Sequence, residues 1–142
     1  LDSVLKNYNN VTWMTNTPRD NMPDLYGAAD IALIPGLMRD GMSMALAESL
    51  SCGLPVIATN RGTYPEIIKS GYSGTLCNPE NLYIEVIQAI EVFFGNDNLL
   101  QQMGGNARTY AVNFIPREKC LQNYKLFFNE RYLEIDNRLS AT

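Results

Sequence analysis

The sequence predicts an α/β layered domain built on a parallel sheet, and three observations carry that expectation. Short apolar runs of strand type alternate with helical stretches along the chain. The run Pro55-Val56-Ile57-Ala58 shows no polar alternation, as expected of a strand buried on both faces. A helical stretch from Ser43 to Cys52 separates it from the strand-like run Ile31-Ala32-Leu33-Ile34, and strand, helix, strand at this spacing means parallel pairing.

Taken in order, the opening residues through Tyr8 have the spacing of a helix tail, with Val4, Leu5 and Tyr8 on one side and Asn9-Asn10 as the stop. A chain that begins inside an element is expected to continue something upstream. Val11-Thr12-Trp13-Met14 is predicted as a strand, and Asp24 to Ala29 as a short helix feeding the strand at Ile31–Ile34, which Pro35-Gly36 ends. After the Ser43 helix, Gly53 supplies the left-handed stop. Thr63 to Lys69 predicts a further helix closed by Ser70-Gly71, with a brief strand at Gly74-Thr75-Leu76-Cys77 after it. Asn78 is placed to cap the next helix and Pro79 to open it, with Tyr83, Val86, Ile87, Ile90 and Phe94 as its sheet-facing stripe. Leu99 to Phe114 is predicted helical despite Gly104-Gly105 in its middle, and Pro116 starts a last helix whose apolar side carries Leu121, Tyr124, Phe127 and Phe128. Beyond Asp136 the polar sequence is expected to fray.

Composition narrows the function. A hydrophobic share of 46% over 142 residues supports one core and leaves no room for a second full domain. The net charge of −4 argues against a nucleic-acid partner, which needs a basic face to displace phosphate counterions. Nothing approaches the roughly 20 apolar residues that cross a bilayer, nor does Leu1 to Lys6 have a signal-peptide layout, so a cytoplasmic setting is expected. A peripheral position at the membrane stays open for a longer protein. Cys52, Cys77 and Cys120 are odd in number and widely spaced, which suits reduced core thiols better than disulfides. The absence of histidine speaks against a zinc site and a histidine-based triad.

In open parallel sheets ligands bind outside the carboxyl ends of the strands. The loop from Pro35 to Met42 lies at such an end and runs into the Ser43 helix, whose free amides and dipole make an anion site that Gly41 lets a phosphate approach. Glu48 stands about one and a half turns inside that helix, roughly 8 Å along its axis. Asp40 and Glu48 therefore bracket the anion site, and a nucleotide sugar, with its diphosphate between sugar and ribose, has the same order. Carboxylates are strong acceptors for paired hydroxyls. A second loop, Asn60-Arg61-Gly62-Thr63, with Glu66 beyond it, is a candidate for the same crevice. Plainer readings stand beside these: Asp40 as a helix cap, Glu66 as an exposed helix charge, Gly62 as a turn residue, Arg39 and Arg61 as solvated cations. A buried Glu48, set among Leu46, Ala47, Ser49 and Leu50, requires a partner whichever reading holds.

The run Leu25-Tyr26-Gly27-Ala28-Ala29-Asp30-Ile31-Ala32-Leu33-Ile34-Pro35, then Asp40-Gly41-Met42-Ser43 to Ala47-Glu48-Ser49, then Cys52-Gly53-Leu54-Pro55-Val56-Ile57-Ala58-Thr59, then Gly62 to Pro65-Glu66, resembles the glycosyltransferase group 1 family. The likeness continues through Gly71-Tyr72-Ser73-Gly74 and Asn78-Pro79-Glu80 to Met103-Gly104 and Ala107-Arg108. The resemblance implies a GT-B fold of two Rossmann-like lobes, with this chain as part of the C-terminal, donor-binding lobe. Residues 1–115 would be a nucleotide-sugar-binding domain incomplete at its N-terminal side, and 116–142 a C-terminal helix and tail. The family's paired acidic signature falls on Asp40, for the donor sugar, and Glu48, for the ribose, with the backbone of Gly41, Met42 and Ser43 at the diphosphate. It further implies a retaining hexosyltransferase that takes a nucleotide-sugar donor, a sugar or lipid-linked acceptor, and no metal or other cofactor.

The acceptor-binding N-terminal lobe would lie outside this chain, so the chain alone is expected to be inactive. Three positions depart from the family pattern: Asp40 for glutamate, Ser43 for glycine and Thr15 for glycine. A non-catalytic GT-B-like interaction or regulatory module is the rival reading, and a related sugar-nucleotide epimerase the third.

Overall fold

The computed structural model describes residues 8–37 and 43–140, with side chains through residue 133. Three parallel strands, β1 (Ala32–Ile34), β2 (Val56–Thr59) and β3 (Gly74–Cys77), lie in the order β1-β2-β3. Ala32 pairs with Val56 and Ile34 with Ala58, while Val56 pairs with Gly74 and Thr59 with Cys77. Every residue of the central strand is buried, as its unbroken apolar run requires.

The alternation of β2 divides the core in two. Val56 and Ala58 point into a cluster with Leu46 and Leu50 of α2 (Met44–Ser51), Tyr64 of α3 (Tyr64–Ile67), and Ala107 and Ala111 of α5 (Asp97–Phe114). Ile57 points the other way, to Cys77, to Ala89 and Phe93 of α4 (Leu82–Phe93), and to Met103 of α5. Helices thus cover both faces of the sheet. A short α1 (Met22–Gly27), entered through a 3-10 turn at Arg19–Asn21, precedes β1 and packs beside α2.

The join between α2 and α5 explains two glycine motifs. Gly53 ends α2 in the left-handed region at φ +78°, and a Cβ on Gly104 would run into the Gly53 carbonyl oxygen. So the glycine that weakens α5 as a helix is what lets its backbone touch the end of α2. One turn on, the Arg108 guanidinium donates to the Ser51 carbonyl oxygen, placing a cation on the last turn of α2 where the helix dipole favours it.

Several expectations need correction. Val11–Met14 forms no ladder with the three described strands, and its residues are exposed; a strand needs a partner for its amides, and β1 does not supply one. On α4 the sheet-facing side is Leu82, Val86, Ala89 and Phe93 rather than the wider stripe, because Tyr83 and Phe94 are 80% and 87% exposed. Asn78 caps the 3-10 turn Pro79–Asn81, its side chain accepting from the Glu80 amide at 3.0 Å, and Glu85 reaches back to the Asn78 amide at 2.6 Å. The helix after Thr63 is a single turn, since Ile68 leaves it in extended backbone at ψ 120° to enter the core. Only Cys77 is a core thiol; Cys52 and Cys120 are exposed.

The helix expected at the start of the chain falls largely on residues 1–7, outside the described residues. The last helix, α6 (Arg117–Ser140), runs past Asp136 instead of fraying there. Its aromatic residues Tyr124, Phe127, Phe128 and Tyr132 are all more than half exposed, and none of its described side chains belongs to either core cluster. Among the described residues no helix is long and apolar enough to cross a membrane.

Candidate functional site

The carboxyl end of β1 leads through Pro35 and Leu37 toward α2, whose N-cap is Ser43 in extended backbone at φ −66°, ψ 130°. The Ser43 hydroxyl makes no capping hydrogen bond, so its side chain does not occupy the first-turn amides that a Ser cap ordinarily takes. Glu48 is the fifth residue of α2, about 6 Å from the helix start and one turn inside it, slightly nearer the head than its sequence position suggested. Its neighbours Ala47 and Ser49 are buried while Glu48 itself is half-buried, which leaves its carboxylate at a surface.

That surface is a cleft of about 360 Å³ between α1 and α2, large enough for a small ligand. Arg19, Pro23 and Tyr26 form one wall, Met44, Glu48 and Cys52 the other. Across it the Tyr26 hydroxyl donates to Glu48 Oε2 at 3.1 Å. Burial, followed by the hydrogen bond to Glu48 and the charge of that carboxylate, pushes the Tyr26 phenol above its ordinary pKa, so its proton stays on. The Glu48 carboxylate therefore has the partner that burial demands, and among the described residues no other hydrogen bond reaches it.

The other sequence candidates scatter. Arg39, Asp40, Gly41 and Met42 lie outside the described residues. Arg61 reaches back to Leu37, its Nη1 donating to that carbonyl oxygen at 2.9 Å, which ties the loop after β2 to the loop after β1. Gly62 takes a left-handed φ of +56° in the turn before α3. Glu66 is exposed on α3 in a separate depression with Lys69, Tyr72 and Tyr110, and is not brought into the Glu48 cleft. Tyr26 and Arg19 were missed: an aromatic in a short helix looks like packing, and only the pairing of α1 with α2 reveals its hydroxyl facing Glu48. Among the described residues no cluster of acidic, histidine or cysteine side chains is fit to hold a metal ion.

A parallel sheet flanked by helices, with a helix head past the end of β1 whose amides the Ser43 hydroxyl does not take and a carboxylate one turn inside that helix, has the layout of the open α/β proteins that bind ligands outside the carboxyl ends of their strands. The particular kind is set by comparison with known proteins: residues 3–110 match the family described as glycosyl transferases group 1, and the chain belongs to that family. The N-acetyl-alpha-D-glucosaminyl L-malate synthase of Bacillus anthracis is 28% identical over 110 residues, covering 78% of this chain and 28% of that protein. A D-inositol 3-phosphate glycosyltransferase of Mycolicibacterium vanbaalenii is 33% identical over 66 residues, 46% of this chain and 14% of that protein.

Among solved structures, sucrose-phosphate synthase from Thermosynechococcus elongatus superposes with a TM-score of 0.82 at 18% identity, over 94% of this chain and 34% of that one. Anabaena HepE in complex with UDP-glucose superposes with a TM-score of 0.79 at 20% identity, over 90% of this chain and 34% of that one. At these identities the likeness is one of fold, that of part of a GT-B lobe. The matched stretches span between about a seventh and a third of the lengths of these four proteins.

Proposed function

We propose that this chain is the donor-binding part of a retaining GT-B glycosyltransferase that transfers a hexosyl group from a nucleoside-diphosphate sugar to a sugar or lipid-linked acceptor. The observation that carries the reading is Glu48, a carboxylate one turn inside a helix whose head its own cap leaves open, in a chain of the group 1 family. In this reading Glu48 accepts hydrogen bonds from the ribose hydroxyls in the α1–α2 cleft. The backbone at Gly41, Met42 and Ser43 meets the diphosphate, and Asp40 addresses the transferred sugar. The UDP-glucose held by Anabaena HepE, a protein of the same fold, supports a donor of that class.

Charge on the departing diphosphate would be met by the α2 dipole and by positive side chains, without a metal ion. Binding by helix amides favours an anion without further apparatus. The acceptor would meet the donor across a cleft formed with a second lobe, and transfer depends on positioning by both.

The test separates the two carboxylates in the full-length protein. Glu48→Gln keeps the shape but removes charge and one acceptor, so affinity for UDP should fall by about 1–3 kcal/mol, the cost of a charged hydrogen bond. Asp40→Asn should lower turnover and leave UDP affinity nearly intact, because UDP lacks the sugar. Equal loss of UDP binding in both variants would refute the division of roles, and a strict magnesium requirement would refute the metal-free mechanism.

A further inference from the structure

Tyr26 and Glu48 meet from two different helices, and both line the cleft between them. Tyr26 is half-buried at the end of α1, and Met22 and Pro23 of the same helix line the cleft beside it. Its hydroxyl reaches Glu48 Oε2 at 3.1 Å, while Ser49, the next residue along α2, turns its own hydroxyl to the Ala45 carbonyl oxygen at 2.7 Å. Among the described residues Tyr26 alone hydrogen-bonds to the Glu48 carboxylate.

A carboxylate on a helix surface otherwise samples several rotamers, and fixing one costs side-chain entropy at the moment a ligand binds. A donor already seated on one oxygen fixes the rotamer beforehand. It leaves Oε1 and the second lone pair of Oε2 as acceptors, which matches the two donors of a ribose diol. Tyr26 can serve as that donor over the whole neutral range, because desolvation and the Glu48 carboxylate keep the phenol protonated.

We propose that Tyr26 is a positioning residue for nucleotide recognition: its hydroxyl holds the Glu48 carboxylate in the orientation that reads the 2′- and 3′-hydroxyls of a nucleoside diphosphate. The proposal rests on the assignment of Glu48 to the ribose. A tyrosine that merely ties α1 to α2 would support the fold and have no bearing on which sugar hydroxyls a ligand carries.

The experiment is calorimetric titration of UDP and of 2′,3′-dideoxy-UDP into the full-length wild-type protein and its Tyr26→Phe, Glu48→Gln and doubly substituted variants. The readout is the ratio of the two affinities, in which a general loss of stability cancels. Wild type should favour UDP, and Glu48→Gln should remove most of that preference. Tyr26→Phe should reduce it about three- to tenfold, leave dideoxy-UDP binding unchanged, and add nothing further in the Glu48→Gln background. If Tyr26→Phe weakens both ligands equally or neither, Tyr26 is a tether and the proposal fails. If Glu48→Gln itself leaves the preference intact, the ribose assignment falls first, and the two failures are told apart by which variant keeps the wild-type ratio. Should Tyr26→Phe not fold, Tyr26→Leu, which also removes the hydroxyl and brings no donor of its own, gives the same ratio test.

Discussion

Replacing Gly104 or Gly105 by alanine should change stability in opposite directions, although the two residues are adjacent in one helix. In an isolated helix both substitutions would help, since alanine is better than glycine by about 1 kcal/mol in a helix interior. At Gly105 that gain should be realised, because a Cβ there meets nothing within 4 Å. The expected result is about 0.5–1 kcal/mol of added stability. At Gly104 the added Cβ would meet the Gly53 carbonyl oxygen, backbone atoms on both sides, so neither partner can swing away. To make room α5 must lift from α2, loosening Ala107 and Ala111 from Leu46 and Leu50. Overpacking of this kind costs about 1–3 kcal/mol, enough to exceed the propensity gain and leave the variant less stable than wild type. Urea denaturation followed by circular dichroism measures both. Stabilisation by Gly104→Ala, or loss of stability by both variants, would refute the claim that the α2–α5 contact sets the glycine at position 104.

Thiol labelling should find Cys52 and Cys120 reactive in the folded protein and Cys77 protected until it unfolds, as their exposure dictates. In the proposed donor site, saturating UDP should slow labelling of Cys52, which lines the cleft, and not of Cys120. Asn78→Ala should cost about 1 kcal/mol in a thermal melt, since the side chain that caps the Pro79–Asn81 turn is lost. Stability should also fall in alkali. Burial and the charge of Glu85 raise the Cys77 thiol above 9.0, and burial and Glu48 raise the Tyr26 phenol above 10.0. Between the ordinary and the raised value the folded chain binds more protons than the unfolded one. The contribution is therefore whole below the ordinary value and drains as pH rises through the raised one. Tyr26→Phe should remove the part of that decline that begins near pH 10, which denaturation at stepped pH would reveal.

Much of the fold was legible because the relevant signals are local. The apolar run at Pro55–Ala58 has no polar alternation and lies one residue ahead of the buried central strand, Val56–Thr59, and Gly74–Cys77 is a strand at the predicted bounds. Where sequence failed, the deciding information lay elsewhere in space. Val11–Met14 has strand composition but no ladder partner among the described strands, and composition cannot report a partner. On α4 apolar residues go most of the way round, so periodicity alone could not choose Leu82, Val86, Ala89 and Phe93 over Tyr83, Ile87 and Phe94. Glu48 was visible as a carboxylate in an apolar stretch that needed a partner. The partner was not visible, because Tyr26 stands on another helix and only the packing of α1 on α2 brings it across.

The two ends of α2 are treated in opposite ways, and the difference connects the core to the site. Its tail is fully engaged: Leu50 is buried, Gly53 touches Gly104, and Arg108 covers the Ser51 carbonyl. At its head the cap hydroxyl takes no amide, and Met44 is 58% exposed. A helix fixed at its tail cannot retreat when an anion approaches its head, so its amides and dipole would meet a diphosphate without a reorganisation cost. Arg61 extends the same logic, tying the loop after β2 to Leu37 and so joining the ends of two adjacent strands. The glycines and the arginine that hold α2 from behind are therefore part of how Glu48 is presented, even though none of them lines the cleft.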